Sequence, residues 1–378
     1  MKIFFSKQKN MLLTLILGIV IIGILMAIPT GYEDAIIYKD TERAVAKVIE
    51  VDNSNIKKSG LIQSGEQSCL LLIEDGIFKD KEIEGINFLS GSLAKDKVFE
   101  VGDRALVTIS YEGDKIKSTV ISDHYRLGKE VILALIFSIF LIIFAGKNGI
   151  QAIFSFIITV LMVWKVLVPS YLKGYSPIWV GIIITVLLTA IIIFFVYGVD
   201  KRTIVATLGS LLGIITTCIM GIIFTDLFKI HGAVMSDAES LMYSGYENLN
   251  LTAIFMSSIF IGASGAMMDL SVDITSAVYE VVEKKPDITK LEAAKSGMNI
   301  GRAAMGTMTT TLLLAYSGGY ITLLMVFMAQ GTPVDHILNY KYVAAEILDT
   351  MVGSFGLVTV APFTALVSGI LLTKRNKV

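Results

Sequence analysis

Residues 178–199 read Ile-Trp-Val-Gly-Ile-Ile-Ile-Thr-Val-Leu-Leu-Thr-Ala-Ile-Ile-Ile-Phe-Phe-Val-Tyr-Gly-Val, without a charged side chain. A helix crossing a hydrocarbon core of about 30 Å needs about 20 such residues. Working outward, comparable runs occur at Met11–Ile28, Val131–Ala145, Ile150–Val168, Ile204–Phe224, Leu251–Ala277, Gly306–Met328 and Ala345–Leu372. With Ile178–Val199 they predict a polytopic α-helical membrane protein of about eight spans. The run from Val131 is short and extends back to Leu127 if the intervening polar residues join the helix. Composition agrees: 54% of the 378 residues are hydrophobic and 17% charged, against about 25% charged in soluble domains. The mean hydropathy is +0.71.

The first run follows Lys2, Lys7 and Lys9, as a signal peptide would. Pro29-Thr30-Gly31 is a poor cleavage site, so a retained anchor is expected. Lysine and arginine recur on alternate connections: Lys147, then Lys201 and Arg202, then Lys284, Lys285, Lys290, Lys295 and Arg302, then Lys374, Arg375 and Lys377. By the positive-inside rule both termini are expected in the cytoplasm. Residues 31–126 are then expected outside, between the first and second helices.

That insert has strand character. Arg43–Val51, Cys69–Ile73, Val98–Ser110 and Lys115–Ser122 are rich in β-branched or aliphatic residues, and Glu112-Gly113-Asp114 is a hairpin turn signal. Val101–Val107 alternates as an entering strand would. About ninety residues suit a small all-β domain, a barrel (OB-like) or sandwich of five or six strands. The expected organisation is 1–30 tail and first helix, 31–126 β domain, and 127–378 a seven-helix membrane domain.

With a net charge of −1 nothing suggests a polyanion partner, so no nucleic-acid partner is expected. Two cysteines and three scattered histidines (His124, His231, His336) form neither a disulfide framework nor a metal-ligand pattern. No Walker loop, Gly-x-Ser-x-Gly or His-Glu-x-x-His occurs. No cofactor, metal or enzymatic chemistry is expected. Intramembrane aspartyl proteolysis would need Asp200 and Asp269 as a dyad, but Asp200 abuts Lys201 and Arg202 at the cytoplasmic edge.

Ionised groups at membrane depth cost at least about 2.5–3.5 kcal/mol on insertion scales, so each needs a reason. Asp269 and Asp273 are four residues apart, on one helical face. Two carboxylates so close cannot both ionise cheaply in low dielectric, which suits proton uptake and release. The plainer reading places Asp269, about 27 Å down from Leu251, in cytoplasmic water. Asn299, Thr307, Thr310 and Thr311 offer donors from the next segment, and Gly265, Gly301 and Gly306 permit close helix approach. Threonines that merely join helices are the plainer reading there. Ile288–Ile300 reads as an amphipathic stretch on the membrane surface. Glu346 and Asp349 are expected near the outer interface, in contact with water.

Ser296-Gly297-Met298-Asn299-Ile300-Gly301-Arg302, Gly306-Thr307-Met308 and Leu313–Tyr316, with Glu346-Ile347 and Val352–Leu357, resemble the YibE/F family of bacterial membrane proteins. The resemblance implies the topology and a bacterial plasma-membrane location, with no assigned activity. More distantly, residues 178–372 resemble one half of the RND and SecD/SecF transporter core. That resemblance implies Asp269 as proton-binding carboxylate, Asp273 as its neighbour, and Thr310 or Thr311 as hydrogen-bond partner. With one half present, it also implies a homo-oligomer or a paralogous YibE/F-type subunit. The expected function is a proton-coupled transporter or export factor in the lipid bilayer; the alternative is a non-catalytic scaffold recruiting envelope proteins through its β domain.

Overall fold

Alternating side chains build the first part of the chain. In the strand Glu82–Ser90, Gly85, Asn87 and Leu89 are buried while Glu84, Ile86 and Phe88 are exposed, the period of two that a half-buried strand requires. The computed structural model describes residues 2–33 and 41–373, with side chains in the first helix described from residue 13 onward. It divides into two compact units, Gly31–Ile143 and Met1–Thr30 with Phe144–Val378. The basic residues expected at the C-terminal end, Lys374, Arg375 and Lys377, lie outside the described residues.

The β unit has strands β1 (Thr41–Asp52), β2 (Ile56–Ser59), β3 (Ile62–Ile73), β4 (Glu82–Ser90), β5 (Arg104–Glu112) and β6 (Lys115–His124). β1 pairs antiparallel with both β3 and β5; β3–β4 and β5–β6 are antiparallel as well. β4 meets β6 in parallel through one pair, Ile86 and Val120. The ring β1-β3-β4-β6-β5 is therefore a five-stranded barrel with the strand order of an OB-fold, and β2 merely extends β3. Val48, Leu71, Ile73, Phe99, Val107 and Ile109 fill it.

The expected strand from Val98 begins only at Arg104. Phe99 instead plugs the barrel, 1% exposed, and Gln67 holds its backbone: Gln67 Nε2 donates to Phe99 O (2.9 Å) and Gln67 Oε1 accepts from Phe99 N (3.0 Å). Gly102 then turns the chain at φ 97°, a conformation in which a Cβ is strained. The Gly113-Asp114 turn forms as read, with Glu112 opposite Lys115 and Gly113 at φ 59°. β2 and β4 lie beyond the strands read from the sequence.

The helices are α1 (Lys2–Ala27), α2 (Leu127–Ala145), α3 (Lys147–Leu172), α4 (Pro177–Tyr197), α5 (Lys201–Leu227), α6 (Leu251–Lys284), α7 (Lys290–Ser317) and α8 (Lys341–Leu371). After a 3₁₀ turn at Gly318–Tyr320, the chain of α7 continues as Ile321–Ala329. Seven helices, α2 to α8 with that continuation, are long and apolar enough to cross a membrane; the described apolar part of α1 is Leu13–Ala27.

In the helical unit α6 is central, packed against α4, α5, α7 and α8. Small residues set the spacing. A methyl group at Gly213 of α5 would collide with Val360, and one at Gly356 of α8 with Thr217 and Met267. Ser271 Oγ donates to Ala206 O (2.7 Å) and lies 3.0 Å from Thr364 Oγ1, tying α5, α6 and α8.

The amphipathic surface stretch expected at Ile288–Ile300 is instead the first half of α7. Ala293, Ala294, Gly297 and Gly301 are buried, and a Cβ at Gly297 would stand 2.8 Å from Val278 and 3.1 Å from Ala365. The helix starts at a capping box, in which Thr289 Oγ1 accepts from Glu292 N (3.2 Å) and Glu292 Oε2 accepts from Thr289 N (3.0 Å). Small residues every fourth position gave it a packing face that charge alternation alone did not reveal.

Candidate functional site

Most of α6 is packed: Ile259, Ala263, Met267, Leu270, Ile274 and Val278 are all fully buried. One narrow stripe is not. Ser258, Gly262, Gly265, Asp269 and Asp273 are exposed at the surface of the single chain, at the spacing of one helical face. No large apolar residue stands in that stripe.

Beside it, α7 exposes Asn299, Arg302, Ala303, Gly306, Thr307, Thr310 and Thr311. The register of the two helices follows from their contacts. Gly301 packs against Ile274, Gly297 against Val278, and the Tyr316 hydroxyl stands over Gly262. Arg302 is therefore level with Asp273, and Gly306 lies near the level of Asp269. Among the described residues, no hydrogen bond or ion pair joins Arg302 to either carboxylate.

The threonines turn back on their own helix. Thr310 Oγ1 donates to Gly306 O (3.3 Å), Thr311 Oγ1 to Thr307 O (3.0 Å) and Thr307 Oγ1 to Ala304 O (3.0 Å). The expected hydrogen bond from Thr310 or Thr311 to Asp269 is absent within one chain, because the carboxylates point off the bundle rather than across the α6–α7 contact. Of the three glycines expected to pack helices, Gly301 does so, meeting Ala361 and Ile274. Gly265 and Gly306 have nothing within 4 Å of an added Cβ. They lie on the open stripes, and Gly209, Gly213, Gly297 and Gly356 are among the glycines that pack alongside Gly301.

At one end of the stripe stands a cluster that sequence reasoning missed. Arg202 pairs with Asp200 at 2.9 Å, and its guanidinium lies 4.9 Å from the Tyr197 ring and 4.4 Å from the Tyr279 ring. Tyr197 donates to Val272 O (2.7 Å) and lies 2.6 Å from Ser276 Oγ. Asp200 caps α5, accepting from Arg202 N at 2.9 Å. It is a helix cap with its own cation, which accounts for it without an aspartyl dyad.

At the other end, Tyr316, Tyr320, Glu346 and Asp349 lie within electrostatic reach of one another. Asp349 was expected to stay wet. Its Oδ1 is buried and without a hydrogen-bond partner, because α8 turns that side towards α7. Glu346 and Asp349 at three-residue spacing and Tyr316 and Tyr320 at four were the signal available in the sequence. Among the described residues, no three His, Cys, Asp or Glu side chains come together as a metal site.

The family profile described as YibE/F-like protein matches residues 133–374. The chain belongs to the YibE/F-like family. The match spans most of α2 and all of α3 to α8, and with them both exposed stripes and the acidic pair Glu346 and Asp349. No curated protein and no solved structure gives a significant match to this YibE/F-like chain. It is an integral membrane protein by its family and by its apolar helices.

Proposed function

We propose that this YibE/F-like chain is one subunit of a proton-coupled membrane transporter or export factor. Asp269 and Asp273 take up and release protons where two subunits meet. The observation that carries the reading is the exposed stripe of α6: two carboxylates among small residues, on a helix whose other faces are largely packed. Left against lipid, each charge would cost at least about 2.5–3.5 kcal/mol. A second copy, or a paralogous YibE/F-type subunit, covers the stripe and supplies what one chain lacks. Arg302, at the depth of Asp273, and the Asn299–Thr311 face are the groups it would bring. The distant likeness to an RND half supports the same arrangement, with proton movement coupled to changes outside.

In this reading α1 is an eighth span, both termini lie in the cytoplasm of a bacterial cell, and the barrel stands outside. No residue is assigned a catalytic role. The test is proton flux into vesicles holding the purified chain, followed by an internal pH dye under an imposed pH gradient. Asp269→Asn is expected to abolish flux with normal folding, and Asp273→Asn to reduce it at least tenfold. Undiminished flux through Asp269→Asn removes the mechanism.

A scaffold role has one observation in its favour. Leu61, Phe88 and Leu93 on the barrel are 83%, 53% and 71% exposed, more apolar surface than a spacer needs. Photo-crosslinking from Phe88 discriminates: the scaffold reading requires a specific envelope protein to be captured, and capture insensitive to Asp269→Asn.

A further inference from the structure

The acidic pair on α8 has no part in the stripe on α6, yet it is built into the same side of the bundle. Beyond Tyr320 opens a cavity of about 630 Å³. It is lined by the α5–α6 connection, including Asp237 and Glu239, and by Tyr320, Tyr340 and Tyr342. Tyr320 lines that cavity and lies within electrostatic reach of Glu346. One helical turn further on is Asp349, whose Oδ1 is shut from solvent with no donor. Next comes Tyr316, half-buried, whose hydroxyl stands over Gly262. From Gly262 the α6 stripe runs through Gly265 to Asp269, seven residues or about 10 Å. Nothing fills the space at Gly265.

A buried carboxylate oxygen without a donor is costly, and the cavity on the far side of Tyr320, lined by Asp237 and Glu239, does nothing to neutralise it. The groups facing the pair are Tyr316 and Tyr320 from α7 and its 3₁₀ turn, and Tyr342 of α8 lies within electrostatic reach of Tyr320. Among the described residues no cation is paired with Glu346 or Asp349, and the Lys341 ammonium is turned over the Tyr342 ring at 5.0 Å. A proton on the carboxyl group removes the uncompensated charge.

We propose that the cavity is the entrance of a proton relay whose first acceptors are Glu346 and Asp349, leading past Tyr316 to Asp269. The step is a proton transfer only. A hydronium ion in the cavity protonates Glu346 beside the Tyr320 hydroxyl, and Glu346 passes that proton to Asp349, each carboxylate returning to its ionised form as the proton moves on. The relay rests on the reading of Asp269 as a proton carrier, but the site itself is testable without transport. It also sets Asp349 apart from the helix-packing residues of α8, since its role is to hold a proton rather than to fill space.

The test is pH-difference infrared spectroscopy of the purified full chain in lipid, reading the carbonyl stretch of protonated carboxyl groups. Glu346→Gln and Asp349→Asn are each expected to remove a titrating band, while Asp269→Asn removes a different one. Tyr320→Phe keeps the ring and is expected to shift the Glu346 band without deleting it, an effect that a merely structural tyrosine would not produce. Spectra of Asp349→Asn and Glu346→Gln identical to the parent overturn the relay while leaving Asp269 untouched. Loss of the Asp349 band with no titrating band from Asp269 keeps the acidic site and removes the transport reading. Should either carboxylate variant fail to fold, an unshifted spectrum in Tyr320→Phe overturns the proposal by itself.

Discussion

Arg202 is held on three sides, by the Asp200 carboxylate and by the rings of Tyr197 and Tyr279. Each ring contributes about 0.5–1 kcal/mol where the cation is partly exposed. Arg202→Met should therefore lower the stability of the helical unit by about 1–2 kcal/mol, read as a lower thermal midpoint in detergent. Tyr197→Phe removes hydrogen bonds to Val272 and Ser276 and should cost about 1 kcal/mol. In the barrel, Asp96 closes its loop with hydrogen bonds from Ser90 N (2.9 Å), Ser90 Oγ (2.9 Å), Gly91 N (2.6 Å) and Ser92 N (2.8 Å). Those bonds, the Ser90 amide first, hold its carboxyl below the usual carboxylate range. A lowered pKa stabilises above the unfolded value, and the benefit is lost as pH falls through the folded one. Amide exchange at Gly91 and Ser92 should accelerate on acidification in the parent. In Asp96→Asn it should already be fast at neutral pH and change little with acid.

At the scale of helices, two sets of glycines behave differently. Gly213 and Gly356 face one another across α5 and α8, where an added methyl group collides with Val360, Thr217 or Met267. Gly213→Ala should destabilise the chain by about 1–3 kcal/mol, the cost of overpacking. Gly265→Ala, on the open stripe, should leave the single chain as stable or slightly more so, since alanine favours helix by up to about 1 kcal/mol. Thermal midpoints of the two variants in detergent, measured as separate chains, check the contrast.

Hydropathy made the helices legible because lipid demands unbroken apolar runs, and Ile178–Val199 corresponds to α4 within two residues at each end. The β5–β6 turn was legible for a local reason, a glycine that alone accepts its backbone. Neither rule says which face of a helix meets protein. Gly265 and Gly301 look alike in sequence, yet only the second has a neighbour; the facing of Asp269 was hidden for the same reason. Phe99 was misread because tertiary packing, fixed by Gln67 thirty-two residues away, overrode a strand-like pattern.

For the molecule as a whole, the assembly is the decisive question. If two copies bury the α6 and α7 stripes, Arg302→Glu sets like charge against Asp269 and Asp273 and should shift a dimer towards monomers at least tenfold. Single-molecule photobleaching in lipid reads that ratio directly, and an unchanged distribution would exclude this face as the contact.

The barrel carries a consequence of its own. Its ladders run over six or more residue pairs between neighbours except at β4 and β6, which meet at Ile86 and Val120 alone. Proteins that recruit extended peptides do so by offering a free strand edge, and closed sheets withhold one. Here the choice is narrow. An extended guest would have to enter at that one-pair seam, beside exposed Phe88, or lie along the four residues of β2, where Lys57 and Lys58 discourage pairing. A guest seeking backbone partners would find the rest of the barrel closed to strand addition, and the domain is correspondingly resistant to sticking to copies of itself.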